Sequence, residues 1–189
     1  MILPSLYSEI EGPALKNIVK ILSNNKFLNH ITIGLDKANK TQFQDAKIFF
    51  KDLKVPHSVI WNDGPRMKSL DKQLSEQGLA PKEPGKGKNV WYCMGYILAR
   101  DQARSIAIHD CDILTYNKEL LARLIYPVAN PLFDYEFCKG YYPRLGNNKL
   151  NGRVTRLLVT PLLKTFKKVL GHRDYIEFIG VFRYPVAGE

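Results

Sequence analysis

Cysteine is scarce. There are three residues, Cys93, Cys111 and Cys138, and no C-x-x-C pair. That excludes a disulfide framework and a paired-cysteine zinc site, and it fits a reducing compartment such as the cytoplasm. No apolar run approaches the roughly 18–20 residues that a bilayer span needs, so no membrane-spanning segment is expected. The opening Met1-Ile2-Leu3-Pro4-Ser5 lacks the basic region and long apolar core of a secretory signal. Internal repeats, low-complexity tracts and flexible linkers are missing too. Acidic residues are absent from one long stretch. Residues 139–173 hold nine basic side chains (Lys139, Arg144, Lys149, Arg153, Arg156, Lys164, Lys167, Lys168 and Arg173) and no Asp or Glu.

The chain has 189 residues, 45% hydrophobic and 24% charged, which suits one globular domain or slightly more. Its net charge is +10. Outside residues 139–173 the balance is nearly even, so the excess is local. A one-sign segment in an otherwise neutral chain implies an anionic partner: a phosphorylated metabolite, a nucleotide or a nucleic acid.

The hydrophobic pattern alternates between strand and helix. Ile2-Leu3-Pro4 reads as a strand end. Leu15, Ile18, Val19 and Leu22 have helical spacing, and residues 30–35 form a β-branched strand. A helix over residues 41–53 and a strand over 57–61 follow. Asn62-Asp63-Gly64-Pro65 closes that strand as a turn. Residues 79–88 read as a Pro/Gly loop, residues 89–100 as a helix and residues 105–109 as a buried strand. Asn117 caps a further helix reaching about residue 126. This order predicts an α/β fold with a mostly parallel central sheet and helices on both faces. In the second half, residues 135–142 read as a strand and 150–170 as a helix that Pro161 should kink or divide.

Three motifs carry chemistry. Asp110-Cys111-Asp112 ends an apolar strand, and two carboxylates one residue apart at a sheet edge suit a hard cation such as Mg²⁺ or Mn²⁺. Pro84-Gly85-Lys86-Gly87-Lys88 combines close backbone approach with a point charge for phosphate, and it is neither a P-loop nor a dinucleotide fingerprint. Gly152-Arg153-Val154-Thr155 opens the basic helix, where backbone N–H groups, a guanidinium and a hydroxyl suit a phosphate or carboxylate.

Taken in order, these segments resemble one family. Leu3-Pro4-Ser5-Leu6-Tyr7-Ser8-Glu9, Pro84-Gly85-Lys86-Gly87-Lys88 and Asp110-Cys111-Asp112 come first. Lys139-Gly140-Tyr141-Tyr142, Asn151-Gly152-Arg153-Val154-Thr155 and Arg183-Tyr184-Pro185-Val186-Ala187-Gly188-Glu189 follow. The pattern is similar to that of retaining glycosyltransferases of the glucosyl-3-phosphoglycerate synthase type, over nearly the whole chain. The resemblance implies a GT-A-like nucleotide-diphospho-sugar fold, with residues 1–133 binding the donor and 134–189 the acceptor. It implies transfer of a hexose, with retention, from a nucleoside-diphosphate sugar to a small phosphorylated or carboxylate acceptor such as 3-phosphoglycerate. Pro4, Ser5, Leu6 and Glu9, with Glu11 as the near alternative to Glu9, would line the nucleoside, Lys86 and Asp110 would contact the donor, and Asp112 would hold Mg²⁺ or Mn²⁺ on the diphosphate. Asp112 and Lys86 are thus the catalytic candidates. Gly152, Arg153 and Thr155 would bind the acceptor, and Glu189 would sit near the sugar. Family members continue beyond this point with a metal-binding histidine. The expectation is therefore a domain incomplete at the C-terminus, prone to self-association, with weak or no turnover, or an inactive fragment that keeps the nucleotide pocket.

Two other classes share parts of this pattern. A haloacid-dehalogenase-type phosphatase also uses D-x-D after an apolar strand, but it wants Thr or Val where Leu114 stands. A nucleic-acid-binding module would use the basic stretch with Tyr141, Tyr142 and Phe166, yet no RNA-recognition, KH or zinc-finger signature accompanies it.

Overall fold

A computed structural model describes residues 1–140, 145–146, 149–150 and 160–170. Two compact units divide the chain, Met1–Ala122 and Arg123–Glu189.

The first unit is built on a parallel sheet. Strands β1 (Ile2–Leu6), β2 (Ile31–Asp36) and β3 (His57–Trp61) lie in that order, β1 pairing Ile2 with Thr32 and β2 pairing Ile31 with His57. Ile31, Ile33 and Leu35 of β2 are fully buried, and so are Thr32 and Gly34 between them. Successive side chains of a strand point to opposite faces, so both faces of the sheet are covered. β3 is only half-buried along its length, as an edge strand should be.

The strand expected over residues 105–109 is reduced to one parallel bridge, Ile2 to Ile108. The Ile2 N–H donates to the Ala107 carbonyl at 2.7 Å, and the His109 N–H to the Ile2 carbonyl at 3.2 Å. The chain nevertheless passes beside β1, on the side away from β2. This is the point where strand order reverses, and the loops at the carboxyl ends of such strands form a crevice.

Helix α1 (Tyr7–Glu11) follows β1 directly, because the Glu9 carboxylate accepts the Leu6 N–H at 2.9 Å and closes the turn. Helix α2 (Pro13–Leu22) starts on a proline whose missing N–H costs nothing in a first turn, and it buries Leu15, Ile18, Val19 and Leu22 as their spacing requires. Helix α3 (Lys40–Phe49) is capped by Asn39, which accepts the Gln42 N–H at 2.9 Å while Gln42 returns the bond at 2.8 Å. A 3₁₀ turn, Phe50–Asp52, continues it. Helix α4 (Pro65–Glu76) is not expected from the hydrophobic pattern: it buries no residue, and only Met67, Asp71 and Leu74 turn partly inward. Helix α5 (Lys86–Arg100) starts three residues earlier than expected. Its Cys93 and Ile97 pack with Ile2 against Ile60, Met94, Tyr96 and Ile106. Helix α6 (Lys118–Ala129) follows Asn117, whose side chain accepts the Leu120 N–H at 2.9 Å.

The second unit departs further from expectation. Residues 135–140 form no strand, while Tyr126, Phe133 and Tyr135 make successive ring contacts of 5.7 and 6.1 Å. Two short antiparallel strands, β4 (Leu145–Gly146) and β5 (Lys149–Leu150), pair with each other. Helix α7 (Thr160–Leu170) places Pro161 at its second position, in the first turn, where the missing N–H costs no helical bond. The expected helical residues 151–159 lie outside the described residues.

Candidate functional site

The C-terminal ends of the strands surround a cavity of about 610 Å³. Pro4, Ser5 and Leu6 of β1, Glu9 of α1, Lys86 of α5, and Asp110 and Asp112 from the turn after Ile108 all line it. Seven residues singled out in the sequence, spread over more than a hundred positions, therefore share one hollow. Gly152, Arg153, Thr155 and Glu189 lie outside the described residues.

Local structure explains how each group arrives. Gly85 has φ +115°, a backbone conformation closed to ordinary side chains, and this turn sets Lys86 at the first position of α5. A helix start leaves N–H groups without helical partners, so Lys86 adds its ammonium to an end that already favours anions. Lys86 Nζ makes an ion pair with the Asp110 carboxylate, both about half exposed. Ser5 is 2% exposed and donates its hydroxyl to the Leu6 carbonyl at 3.0 Å. Cys111, between the two aspartates, is buried, and burial pushes its thiol well above the ordinary range.

The neighbouring His109 is 3% exposed and stacks edge-on against Tyr116 at 5.4 Å. Burial lowers its pKa to about 4 despite the opposing pull of Asp110. Neither ring nitrogen has a hydrogen-bond partner among the described residues, and the Tyr116 hydroxyl has none there either. His109 is therefore a core residue, as its inward alternation on the strand suggests.

Other functional groups share the cavity. Asp36 ends β2 with both oxygens held: Asn62 Nδ2 donates to Oδ1 at 2.8 Å and Asn89 Nδ2 to Oδ2 at 3.0 Å. Asn89 is 2% exposed and also donates to the Gly34 carbonyl at 2.8 Å. A Cβ on Gly34 would lie 1.8 Å from Asn89 Oδ1, so the absence of a side chain there lets α5 close on the sheet. On the opposite wall, Asp71 of α4 accepts from Lys88 Nζ at 2.7 Å and from the Tyr92 hydroxyl. Those two bonds, Lys88 first, lower the Asp71 pKa, while burial and then Asp71 raise that of Tyr92. The strand-end rule that singles out Asp110 applies equally to Asp36 and Asn62. Asp71 carries no such mark, since it sits on a polar helix without a clear apolar stripe.

The cavity is lined by six carboxylates (Glu9, Asp36, Asp63, Asp71, Asp110 and Asp112) and four lysines (Lys37, Lys68, Lys86 and Lys88). Asp110 and Asp112 offer hard oxygen donors of the kind Mg²⁺ or Mn²⁺ takes, with substrate phosphates and waters completing the shell. Among the described residues no cluster of three or more His, Cys, Asp or Glu side chains is placed to ligate a metal.

Over all 189 residues the chain is 44% identical to the glucosyl-3-phosphoglycerate synthase of Persephonella marina. The likeness to that protein runs over the whole of this chain. It is also 39% identical, over 192 aligned positions, to the glucosyl-3-phosphoglycerate synthase of Methanococcoides burtonii. It spans about half the length of these curated relatives, 47% in each case. No family model matches it. The α/β, GT-A-like architecture expected of such a relative is the one seen in the first unit, a parallel sheet carrying helices. No helix among the described residues is long and apolar enough to cross a membrane.

Proposed function

We propose that this chain is the donor-binding part of a metal-dependent hexosyltransferase of the glucosyl-3-phosphoglycerate synthase kind. The donor is a nucleoside-diphosphate sugar and the acceptor a small anion such as 3-phosphoglycerate, joined with retention at the sugar carbon. The observation that carries this reading is the meeting of Lys86, Asp110, Asp112 and the Pro4–Leu6 segment in one cavity at the switch point of a parallel sheet.

The roles follow from position. Lys86 leaves Asp110 to meet the diphosphate at the α5 N-terminus, where the free N–H groups add to its charge. Asp112 would hold a divalent cation, with Asp110 beside it at the nucleotide, and such a cation when bound would supply charge neutralisation for the departing diphosphate. Pro4, Ser5 and Leu6 form the wall beside the nucleoside. Glu9 acts indirectly, by fixing the β1–α1 turn through Leu6. No protein nucleophile is assigned. Residues 134–189, with Gly152, Arg153 and Thr155 at the acceptor and Glu189 near the sugar, supply the acceptor part. The basic excess over residues 139–173 matches an anionic acceptor.

Calorimetric titration of the chain with UDP, GDP and their glucose and mannose forms in Mg²⁺ tests the reading. Binding in the micromolar range is expected, weakened at least tenfold by Lys86→Ala. Absence of binding to every one of these nucleotides at millimolar concentration overturns it.

A further inference from the structure

Asp110 and Asp112 stand on a short turn whose two ends are buried aromatic residues. Asp110 is about half exposed and Asp112 is exposed, so packing of their own side chains fixes neither. Their geometry is inherited from the backbone of residues 110–115, which enters at His109 and leaves at Tyr116. The His109 N–H donates to the Ile2 carbonyl at 3.2 Å and ties the entry to β1. The Tyr116 carbonyl accepts from Asn17 Nδ2 at 3.2 Å, which ties the exit to α2. The Tyr116 N–H turns back to the Ile113 carbonyl at 3.4 Å. Cys111, in the middle of the turn, is 2% exposed.

The two ends meet. His109 and Tyr116 are each 3% exposed, and their rings make an edge-on contact at 5.4 Å with planes at 61°. Tyr116 also precedes the Asn117 cap of α6, and Leu121, four residues beyond that cap, is fully buried. Those are the positions of a hydrophobic staple, which fixes the angle at which a chain enters a helix. Polar bonding does not account for these two residues, since the His109 ring nitrogens and the Tyr116 hydroxyl have no partner among the described residues. Ring shape does. An edge-on aromatic pair has a preferred separation and tilt, so it fixes the distance between the backbone points that carry it.

We propose that His109 and Tyr116 are positioning residues for the aspartate turn: their ring contact closes its base and so holds Asp110 and Asp112 where a divalent cation and a diphosphate can share them. The inference rests on the reading of this cavity as a metal-assisted nucleoside-diphosphate site. Mg²⁺ takes one or two carboxylates at about 2.0–2.1 Å in near-ideal octahedral geometry, so a small displacement of the turn costs cation affinity. The rest of the cavity does not depend on the turn. Lys86 stands on α5 and Pro4, Ser5 and Leu6 on β1. Groups that orient metal ligands without touching the metal are worth about 10–100-fold in its affinity. Loss of the ring contact therefore falls on the metal-dependent part of nucleotide binding.

The test is titration of the whole chain with UDP and GDP, once in Mg²⁺ and once in EDTA, reading the ratio of the two affinities. Tyr116→Leu, which removes the ring, should lower that ratio about tenfold and leave the affinity in EDTA unchanged. Tyr116→Phe, which keeps the ring and drops the hydroxyl, should preserve the ratio. Asn17→Ala removes only the tie at the exit of the turn and should lower the ratio a few-fold; it decides the matter if Tyr116→Leu does not fold. An undiminished ratio in the variants that fold overturns the inference. So does an equal loss in Mg²⁺ and in EDTA, which is what a merely structural role gives, and so does a loss in Tyr116→Phe as large as in Tyr116→Leu. These results leave the cavity a nucleotide site. Failure of the unsubstituted chain to bind UDP or GDP overturns the nucleotide reading and this inference with it.

Discussion

Single atoms decide much of this site. Gly34 has no side chain, and Asn89 fills the space one would take. Gly34→Ala forces Asn89 off the Gly34 carbonyl and loosens its grip on Asp36. The expected cost is about 1–3 kcal/mol of stability, the usual range for overpacking a tight core, measured by urea unfolding. An unchanged midpoint would show that the contact relaxes freely. Cys93, which donates to Asn89 Oδ1 at 3.5 Å, is held in the same contact, and burial pushes its thiol up to about 12. His109 predicts a pH dependence. Its folded pKa, about 4, lies below the ordinary 6.5, so the unfolded chain takes up the proton first as pH falls. Stability is therefore undiminished above pH 6.5, declines below it and levels off near pH 4, a total of about 3 kcal/mol from this group. His109→Leu should flatten that part of the stability curve. A slope that persists in the variant assigns the effect to another group.

Among the elements, α4 is the least anchored. It buries no residue, yet Met67, Lys68 and Asp71 form one wall of the cavity. Asp71 clasps it to α5 through Lys88 and Tyr92. The Lys88 and Asp71 side chains are 26% and 32% exposed, so solvent screens the pair and the clasp contributes about 1 kcal/mol. Asp71→Ala should speed hydrogen exchange of amides 65–76 roughly fivefold while moving the global melting transition little. Unaltered exchange would mean that Met67 and Leu74 alone hold the helix. The strands and α2, α3 and α5 are legible in the sequence because each repeats apolar residues at its own period. α4 has no such repeat, and the pattern over residues 105–109 overstates a segment whose pairing is a single bridge.

For the whole chain, charge and cavity run in opposite directions. The protein carries +10, but the cavity has two more carboxylates than lysines. An anionic nucleotide gains little from that lining unless a divalent cation makes up the deficit. Removing divalent ions with EDTA should weaken UDP or GDP binding at least tenfold, read by calorimetry. Equal affinity with and without the chelator would leave the lysines as sufficient counter-charge.

The sequence alone determined the class of the fold and the strands β1, β2 and β3, and it put Lys86, Asp110 and Asp112 forward as candidates, because periodicity, a glycine–lysine loop and strand-end chemistry are local properties of the chain. Only the tertiary structure decided that these groups share a hollow with Asp36, Lys37, Asn89 and Asp71. Parallel strands bring together segments dozens of residues apart, and their neighbours in space are set by crossover connections and by close approaches such as Gly34 to Asn89. No local pattern encodes those distances.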